Sequence, residues 1–289
     1  MKVLITGANG QLGTALAACT PLGVALVLAG RAELDIADGA AVSPFIAQVQ
    51  PDIIINAAAY TAVDRAEGEE ALATTINGIA VAHLANAATT HQARFVHIST
   101  DFVFDGQTHT PYRSNAATNP LSAYGRSKLT GEGAALSNPS ALLVRTAWVY
   151  AAHGNNFVKT MLRLMTERDE VRVVADQIGT PTHAASLARS VWGLIGHQAS
   201  GLYHATDAGT ASWYDFAVAI QEEALAVGLL TRSVPIIPIP TSAYPTPAMR
   251  PAYSVLDKSA TWDVLGQPAA HWRVELRAML LHLKGLTNG

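Results

Sequence analysis

A tyrosine and a lysine, Tyr124 and Lys128, lie four residues apart in the segment Tyr-Gly-Arg-Ser-Lys. On a helix this spacing is about one turn, so both side chains share a face. A free tyrosine has a pKa of about 10, and a neighbouring lysine cation stabilises the phenolate and lowers that pKa. The spacing predicts an acid–base pair, although the same pattern also occurs by chance on helices.

A threonine precedes this pair at the end of an apolar, strand-like segment. The run Phe-Val-His-Ile-Ser-Thr-Asp ends in hydroxyl groups, and Thr100 lies 24 residues before Tyr124. Ligands of a doubly wound sheet bind at the carboxyl ends of its strands. We therefore expect Thr100 to donate a hydrogen bond to a substrate carbonyl beside Tyr124. Hydroxyl groups also cap strand ends, so Thr100 gains its significance from Tyr124 and Lys128.

The first apolar run leads directly into a glycine-rich loop, Thr-Gly-Ala-Asn-Gly-Gln-Leu-Gly at 6–13, followed by a helical segment. Glycines allow a sharp turn and a close approach to a pyrophosphate, and the helix N-terminus supplies free N–H groups for that anion. The alternative is an ordinary strand-to-helix turn. The context favours dinucleotide binding. The loop residues expected at the cofactor are Gly7, Asn9, Gly10, Gln11, Leu12 and Gly13.

The end of the second apolar run bears on the choice of cofactor. NAD-preferring sites place an acidic residue there, about 20 residues after the glycines, whereas this chain has Arg31. An arginine could pair with a 2′-phosphate, which favours NADPH, with NADH as the alternative. Asp35 and Asp38 are candidates for contacts to adenine or ribose, and Ile36 between them is also expected at the cofactor. The alternative for Arg31 is a solvated loop charge.

The elements that must position these residues alternate along the first half of the chain. Short runs that are apolar throughout read as parallel strands buried on both faces, and Ala/Leu-rich helical segments lie between them. This order predicts an α/β doubly wound parallel sheet, a Rossmann fold. The runs span 3–6, 24–29, 53–59, 95–99 and 142–148, and the helical segments span 11–18, 71–89 and 122–136.

The second half of the chain differs in composition. Six prolines between positions 235 and 251 exclude a regular helix or a central strand there, and helical segments at 213–227 and 271–283 flank them. We expect a dinucleotide-binding domain over 1–150 and a smaller, mainly substrate-binding lobe over 151–289. Part of 183–206 is expected to complete the first domain.

The composition excludes several classes of protein. The chain has 289 residues, of which 49% are hydrophobic and 14% charged, and its net charge is −3. These values exclude a disordered chain and argue against a nucleic-acid-binding protein with a broad basic surface. The single cysteine, Cys19, excludes a disulfide framework within the chain. Ten histidines show no ligand spacing, so we assign no metal ligands.

Two further features concern location. No apolar run approaches the roughly 18 residues of a membrane span, and the sequence enters a strand-like segment at once, without a signal-peptide pattern. We therefore expect a cytoplasmic protein with neither a membrane nor a nucleic acid as its partner.

The glycine loop, Thr100 and the Tyr124/Lys128 pair resemble the extended short-chain dehydrogenase/reductase superfamily. Within it the chain most resembles the dTDP-4-dehydrorhamnose reductase family, through segments such as STDFVFDG and PLSAYGRSKLTGE. The order and spacing of these segments make the resemblance specific, and they extend through most of the chain. The matching segments are 6–13, 34–38, 51–67, 99–106, 120–132, 145–150, 176–182 and 250–257.

The resemblance implies a reaction and roles for the residues. The family reduces the 4-keto group of dTDP-6-deoxy-L-lyxo-4-hexulose with NAD(P)H and so makes dTDP-L-rhamnose, a step of carbohydrate biosynthesis. By position, Tyr124 would donate a proton to the forming alkoxide and Lys128 would hold the nicotinamide ribose. Thr100 would orient the keto oxygen. The small residues expected against the cofactor are Ala57, Ala58 and Ala59.

The resemblance also implies substrate contacts, which depart in part from the family pattern. Trp148 would lie near the sugar, and Arg250 would reach a phosphate of the nucleotide or brace the proline-rich loop. Asp101 and Phe102 follow Thr100, and Phe102 stands where a tyrosine is common. The family further implies magnesium, for which we assign no ligands, and a homodimer.

Related enzyme types give alternatives. Sugar-nucleotide 4,6-dehydratases carry Asp-Glu after the threonine, whereas Phe102 here cannot transfer a proton. Epimerase-reductases need a Cys/His pair, and Cys19 lies instead in the first helix. A regulatory subunit like that of methionine adenosyltransferase, which binds NADP without catalysis, and a reductase of a related keto-sugar nucleotide remain open.

Overall fold

The computed structural model describes residues 1–287 and has at its centre a six-stranded sheet. The strand order is β10-β5-β4-β3-β1-β2, and every pairing is parallel. The strands in chain order are β1 (Lys2–Thr6), β2 (Ala25–Ala29), β3 (Ile53–Asn56), β4 (Arg94–Thr100), β5 (Leu142–Thr146), β6 (Val149–Tyr150), β7 (Val171–Val174), β8 (Ile178–Gly179), β9 (Thr182–His183), β10 (Gly201–His204), β11 (Ala211–Ser212) and β12 (Ile236–Ile239).

Helices cover both faces of the sheet, so the predicted doubly wound α/β fold is confirmed. On one face α1 and α8 pack together, and on the other α2 and α6 pack on either side of α5. The helices are α1 (Gln11–Ala18), α2 (Gly39–Val49), α3 (Val63–Ala66), α4 (Glu70–Thr74), α5 (Ala80–Thr90), α6 (Ala123–Leu136), α7 (Phe157–Glu167), α8 (Ala184–Gly196), α9 (Trp213–Val227), α10 (Ser259–Leu265) and α11 (Trp272–Thr287). A π-helix, Thr75–Ile79, joins α4 to α5.

The central strands are apolar on both faces because both faces are covered. All residues of β3 and β5 are buried, as are Val3, Leu4 and Ile5 of β1. Burial on both faces removes the alternation of polar and apolar residues that marks a strand with one solvated face.

A second hydrophobic cluster lies outside the sheet. It joins α7, α9 and α11 around side chains such as Met161, Phe216 and Leu276. The proline-rich segment contributes β12, which pairs with β7 in a two-stranded sheet. Pro238 within β12 has no N–H to donate, which an edge strand tolerates.

The segment 183–206 returns to the central sheet. Its helix α8 packs on α1, and β10 pairs with β5 as the last strand. The chain therefore leaves the sheet after β5 and comes back, and the domain boundary near residue 150 stays a prediction. Among residues 1–287 no helix is long and apolar enough to cross a membrane.

A buried ion pair ties helix α6 to the sheet. Arg145 of β5 donates to both carboxylate oxygens of Glu132 of α6, at 2.8 and 2.6 Å, and both side chains are less than 5% exposed. Ser99 of β4 donates a third hydrogen bond to Glu132 at 2.6 Å. The Arg145 guanidinium also lies 4.9 Å from the ring centre of Phe104. These contacts offset the cost of removing both charges from water.

The buried pair generates a stability prediction. Glu132→Gln leaves the Arg145 charge buried without its counter-charge, and we expect a loss of about 3–5 kcal/mol in the free energy of unfolding. The control is Glu167→Gln, which breaks the exposed pair with Arg163 and should cost about 1 kcal/mol or less. Denaturant unfolding measures both, and equal small losses would contradict the structural importance of Glu132.

Candidate active site

A cleft of about 730 Å³ opens at the carboxyl edge of the sheet. The sequence-predicted site residues line it, with the exceptions of Gly13 and of Asp38, which instead caps α2 by accepting a hydrogen bond from the Ala40 amide. They come from the ends of β1 to β4, from α6 and from two later segments. The lining includes Gly7, Asn9, Gly10, Gln11, Leu12, Arg31, Asp35, Ile36, Ala57, Ala58, Ala59, Thr100, Asp101, Phe102, Tyr124, Lys128, Trp148 and Arg250.

The glycine loop is shaped by contacts that exclude side chains. Gly7 has φ +68°, and a Cβ there would lie 2.5 Å from the Ala58 amide nitrogen. A Cβ at Gly13 would collide with the Gly7 carbonyl, so Gly13 supports the loop from beneath the cleft. Helix α1 begins after Gly10 without a side-chain cap, which leaves its first N–H groups free. This cradle of backbone N–H groups fits the pyrophosphate of a dinucleotide.

Arg31 lies at the rim of the cleft with 84% of its side chain exposed. Its Nε donates to the Asp35 carboxylate at 3.2 Å. Arg31 and Asp35, two of the residues that we predicted for the adenosine end of the cofactor, are thus next to each other. An exposed guanidinium of this kind is free to pair with an additional anion at low cost.

Helix α6 brings Tyr124 and Lys128 into the cleft. Ser122 caps the helix by accepting a hydrogen bond from the Gly125 amide at 3.1 Å. A Cβ at Gly125 would collide with the carbonyl of Phe102, so this glycine lets the helix press against the 3₁₀ turn Asp101–Val103. Tyr124 and Lys128 are 9% and 2% exposed. The close approach sets Tyr124 beside the end of β4.

The electrostatics of the pair differ from the sequence expectation. Burial raises the pKa of Tyr124 to about 12, with hydrogen bonding to Thr100 opposing the rise and the Asp101 charge adding to it. Burial lowers the pKa of Lys128 to about 8, against the attraction of Glu132. The Lys128 ammonium donates to the Ile98 carbonyl at 2.7 Å. The expected lowering of the tyrosine pKa is therefore wrong for this structure, because burial raises this pKa and the group that opposes the rise is Thr100, not Lys128.

The turn after β4 holds a buried carboxyl group. Thr100 Oγ1 donates to Asp101 Oδ1 at 3.0 Å and accepts from the Phe102 amide at 3.2 Å. Burial raises the pKa of Asp101 to about 6, although hydrogen bonds from Ser254 and Thr100 oppose the rise. The Phe102 ring meets Tyr124 edge-on, with 5.5 Å between ring centres. Thr100, Asp101 and Tyr124 thus form one group of polar side chains at the cleft wall.

Two stacked tryptophans form another part of the wall. Trp148 lies parallel to Trp213, with 3.5 Å between ring centres and 7° between planes. Trp148 has φ +47°, a left-handed conformation that is rare for a bulky side chain. Gly179 allows it, since a Cβ at Gly179 would lie 2.5 Å from the indole. Sequence reasoning missed Trp213 as a site residue, although it predicted the helix that Trp213 begins.

Arg250 reaches the cleft from the proline-rich segment. Its guanidinium donates to both oxygens of Asp64, at 3.0 and 2.8 Å, and to Thr246 at 2.6 Å. The hydrogen bonds from Arg250 hold the pKa of Asp64 below its usual value. Asp64 was not predicted, and it explains how the proline-rich segment is held at the cleft. The contact of Arg250 with a phosphate stays a prediction.

The described part of the chain contains no group of three or more His, Cys, Asp or Glu side chains that could hold a metal ion. Cys19 follows α1 and packs against the core formed with α8. Cys19 does not line the cleft.

Comparison with known proteins gives a consistent assignment. The family model of the RmlD substrate binding domain matches residues 1–284. A dTDP-4-dehydrorhamnose reductase of Burkholderia thailandensis is 45% identical over 285 residues, with 94% of this chain and 96% of the relative covered. The same named enzyme of Salmonella typhimurium is 39% identical over 293 residues, with 98% of each covered.

Comparison with solved structures gives the same family as the sequence comparison. A dTDP-4-dehydrorhamnose reductase of Clostridium acetobutylicum has a TM-score of 0.93 and 41% identity, and the match covers 98% of this chain and 100% of that one. A dTDP-4-dehydrorhamnose reductase of Bacillus anthracis in complex with NADP has a TM-score of 0.92 and 37% identity, covering 97% and 99%.

The stacked tryptophans generate a prediction about the cleft wall. Gly179→Ala places a methyl group against the indole of Trp148, whose ring is already held in a stack with Trp213. We expect a loss of about 1–3 kcal/mol in unfolding free energy and a weaker coupled indole signal in near-ultraviolet circular dichroism. The control Gly133→Ala meets nothing within 4 Å and should stabilise α6 by up to about 1 kcal/mol. An unchanged indole signal in Gly179→Ala would refute the packing argument.

Proposed function

The chain belongs to the dTDP-4-dehydrorhamnose reductase family, and we propose that it reduces the 4-keto group of dTDP-6-deoxy-L-lyxo-4-hexulose with NADPH to give dTDP-L-rhamnose. The observation that carries the proposal is the convergence of Thr100, Tyr124 and Lys128 with the glycine loop in one cleft. In this chain the residue after Asp101 is Phe102, which cannot transfer a proton, so elimination as in the dehydratases is not supported.

The residues of the cleft fit a dinucleotide. In the proposal the glycine loop holds the pyrophosphate, Arg31 pairs with the 2′-phosphate, and Ala57, Ala58 and Ala59 line the flat face of the nucleotide. Lys128 holds the hydroxyl groups of the nicotinamide ribose. The bound nicotinamide supplies the hydride, and the protein supplies orientation and a proton.

Tyr124 is the proposed proton donor. Its raised pKa keeps the phenol protonated through the neutral range, so a proton is available when charge develops on the keto oxygen. Transfer to the alkoxide leaves a phenolate, which the Thr100 hydroxyl and the Lys128 charge stabilise. Before transfer, Thr100 turns its single hydroxyl hydrogen from Asp101 to the keto oxygen and so holds the carbonyl next to Tyr124.

The remaining lining residues are the proposed sugar-nucleotide contacts. Trp148, with Trp213 behind it, offers a flat apolar surface for the deoxysugar, and Asp101 offers a carboxyl group to its hydroxyls. Phe102 adds an apolar edge. Arg250 is the proposed phosphate contact, and it would have to share its guanidinium between Asp64 and the nucleotide.

Three further expectations are not used in the mechanism. The resemblance implies magnesium, but the described residues offer no group of ligands for it, so no step involves a metal. A homodimer stays a prediction of the resemblance, and a cytoplasmic location stays a prediction from the sequence pattern.

The proton-donor role generates a prediction. Tyr124→Phe should bind NADPH as the wild type does but lose about 10²–10⁴-fold in kcat. The assay follows oxidation of NADPH with the dTDP-4-keto-sugar, and fluorescence titration measures cofactor binding. Tyr244→Phe changes an exposed tyrosine and serves as the control with normal turnover. Full activity of Tyr124→Phe would exclude the role. If the wild type bound NADPH without turnover, the result would favour another keto-sugar nucleotide or a non-catalytic subunit.

The role of Arg31 generates a separate prediction about cofactor preference. Arg31→Ala removes a charge-assisted hydrogen bond worth about 1.5–3 kcal/mol, so the Kd for NADPH should rise about tenfold or more. The Kd for NADH should change little, because NADH has no 2′-phosphate. Parallel titrations with both nucleotides measure the two constants. Equal weakening would remove the 2′-phosphate argument, and Arg163→Ala, at another exposed ion pair, controls for the loss of a surface charge.

A further inference from the structure

A series of hydrogen-bonded, buried polar side chains lies beneath the cleft, from β1 to helix α6. Thr6 Oγ1 donates to Asn56 Oδ1 at 2.8 Å, and Asn56 Nδ2 lies 3.1 Å from His97 Nδ1. His97 Nε2 in turn lies 3.4 Å from Lys128 Nζ. All four side chains are at most 2% exposed. The mechanism above uses Lys128 but assigns nothing to the other three residues.

The directions of the hydrogen bonds that Asn56 makes are determined. The backbone amide of Ala58 donates to Asn56 Oδ1 at 3.1 Å, so this atom must be the oxygen of the side-chain amide. A flipped amide would set two N–H groups against each other. The Nδ2 group of Asn56 therefore faces His97, and it can only donate. His97 Nδ1 must then be the unprotonated nitrogen of the ring.

The remaining ring nitrogen of His97 consequently carries the proton. Burial and the Lys128 charge hold the pKa of His97 well below its usual value, so the ring is neutral with one N–H. This N–H is on Nε2, and it faces Lys128 Nζ. A neutral amine can accept a hydrogen bond from it, whereas an ammonium group has no lone pair with which to do so.

We propose that His97 is a positioning residue for Lys128: Asn56 fixes its tautomer, and its Nε2–H then favours the amine over the ammonium form of the lysine. The proposal deepens the proposed function, on which it rests for the catalytic importance of Lys128. An amine–ammonium balance close to neutral pH allows Lys128 to take up or release a proton beside Tyr124. The Ile98 carbonyl accepts from Nζ in either form.

The other groups around Lys128 do not replace this effect. Glu132, on the same helix, attracts the ammonium, but Arg145 of β5 and Ser99 of β4 occupy its oxygens. Tyr124 stays protonated in the neutral range, since burial raises its pKa to about 12. Asp101, on the turn after β4, bonds to Thr100. His97 is therefore the neighbouring group whose hydrogen position decides what Lys128 Nζ meets.

The tautomer of His97 can be observed directly. In protein labelled with ¹⁵N-histidine, the two ring nitrogens have different chemical shifts when protonated and unprotonated, and His97→Gln identifies the signals. We expect Nε2–H with unprotonated Nδ1 between pH 6 and pH 9. The Nδ1–H tautomer or a doubly protonated ring would overturn the proposal. The measurement needs no turnover, so its failure is distinct from failure of the reductase assignment.

The effect on Lys128 is tested by reversing the hydrogen-bond directions between Asn56, His97 and Lys128. Asn56→Asp keeps the shape and the oxygen that Thr6 and Ala58 contact, but it replaces the Nδ2 donor by a second acceptor. His97 should then carry its proton on Nδ1, and Nε2 should accept from the Lys128 ammonium. We expect the titration midpoint of Lys128 to rise by about 1 pH unit or more, read from ¹³Cε signals of labelled lysine, and to rise less in Asn56→Asp/His97→Leu, which adds the same negative charge without the imidazole. The chain has five lysines, so Lys128→Met suffices for assignment.

The matched control is Thr6→Val, a buried substitution in the same series of hydrogen-bonded side chains. It removes one hydrogen bond to Asn56 Oδ1, but the Ala58 amide still fixes the orientation of the side-chain amide. His97 should keep its wild-type tautomer and Lys128 its midpoint. A shift of the Lys128 midpoint in Thr6→Val as large as in Asn56→Asp would reduce the effect to general disturbance of the core. An unchanged midpoint in Asn56→Asp with an altered tautomer would also refute the role of His97.

Discussion

The burial of ionisable side chains at the carboxyl edge of the sheet is the constraint on which the site depends. Tyr124, Lys128 and Asp101 are buried there, and burial shifts the pKa of each in the direction of its neutral form. A charged side chain at this edge therefore needs nearby counter-charges or hydrogen-bond partners that stabilise its charged form. The Glu132–Arg145 pair is an example, because each charge stabilises the other and Ser99 donates a further hydrogen bond to the carboxylate. The same desolvation strengthens every hydrogen bond that the site can offer to a developing oxyanion.

Glycines, which have no side chain, position the site as much as the functional groups do. Gly125 lets α6 approach the turn after β4, and Gly7 lets the first loop approach β3. Gly179 makes room for Trp148 in its left-handed conformation. In each case a methyl group would separate two elements whose contact the cleft requires. The cleft is thus built by backbone approach at a few points, on a sheet whose strands are fixed by ordinary apolar burial.

Much of this could be predicted from the sequence, because the signals are local. The glycine loop, the strand-end Thr100 and the Tyr124/Lys128 spacing each lie within one short segment, and the apolar runs reveal buried parallel strands. The residues that were missed depend on contacts between distant segments. Asp64 meets Arg250, and His97 meets Asn56, only once the chain has folded. The pKa of Tyr124 was mispredicted for a related reason: the helix spacing brings the lysine near, but the loss of water is a property of the whole fold.

The return of the chain to the sheet at β10 has a consequence for how the protein is made. Gly201 pairs with Leu142, and the segments that build α7 and β7 lie between them in the sequence. During vectorial synthesis β5 therefore emerges long before the strand that covers its open edge. Pairings of such large sequence separation form slowly, and an unpaired strand edge can associate with other chains. Nascent protein that has been synthesised only as far as α7 should accordingly be the form most in need of a chaperone.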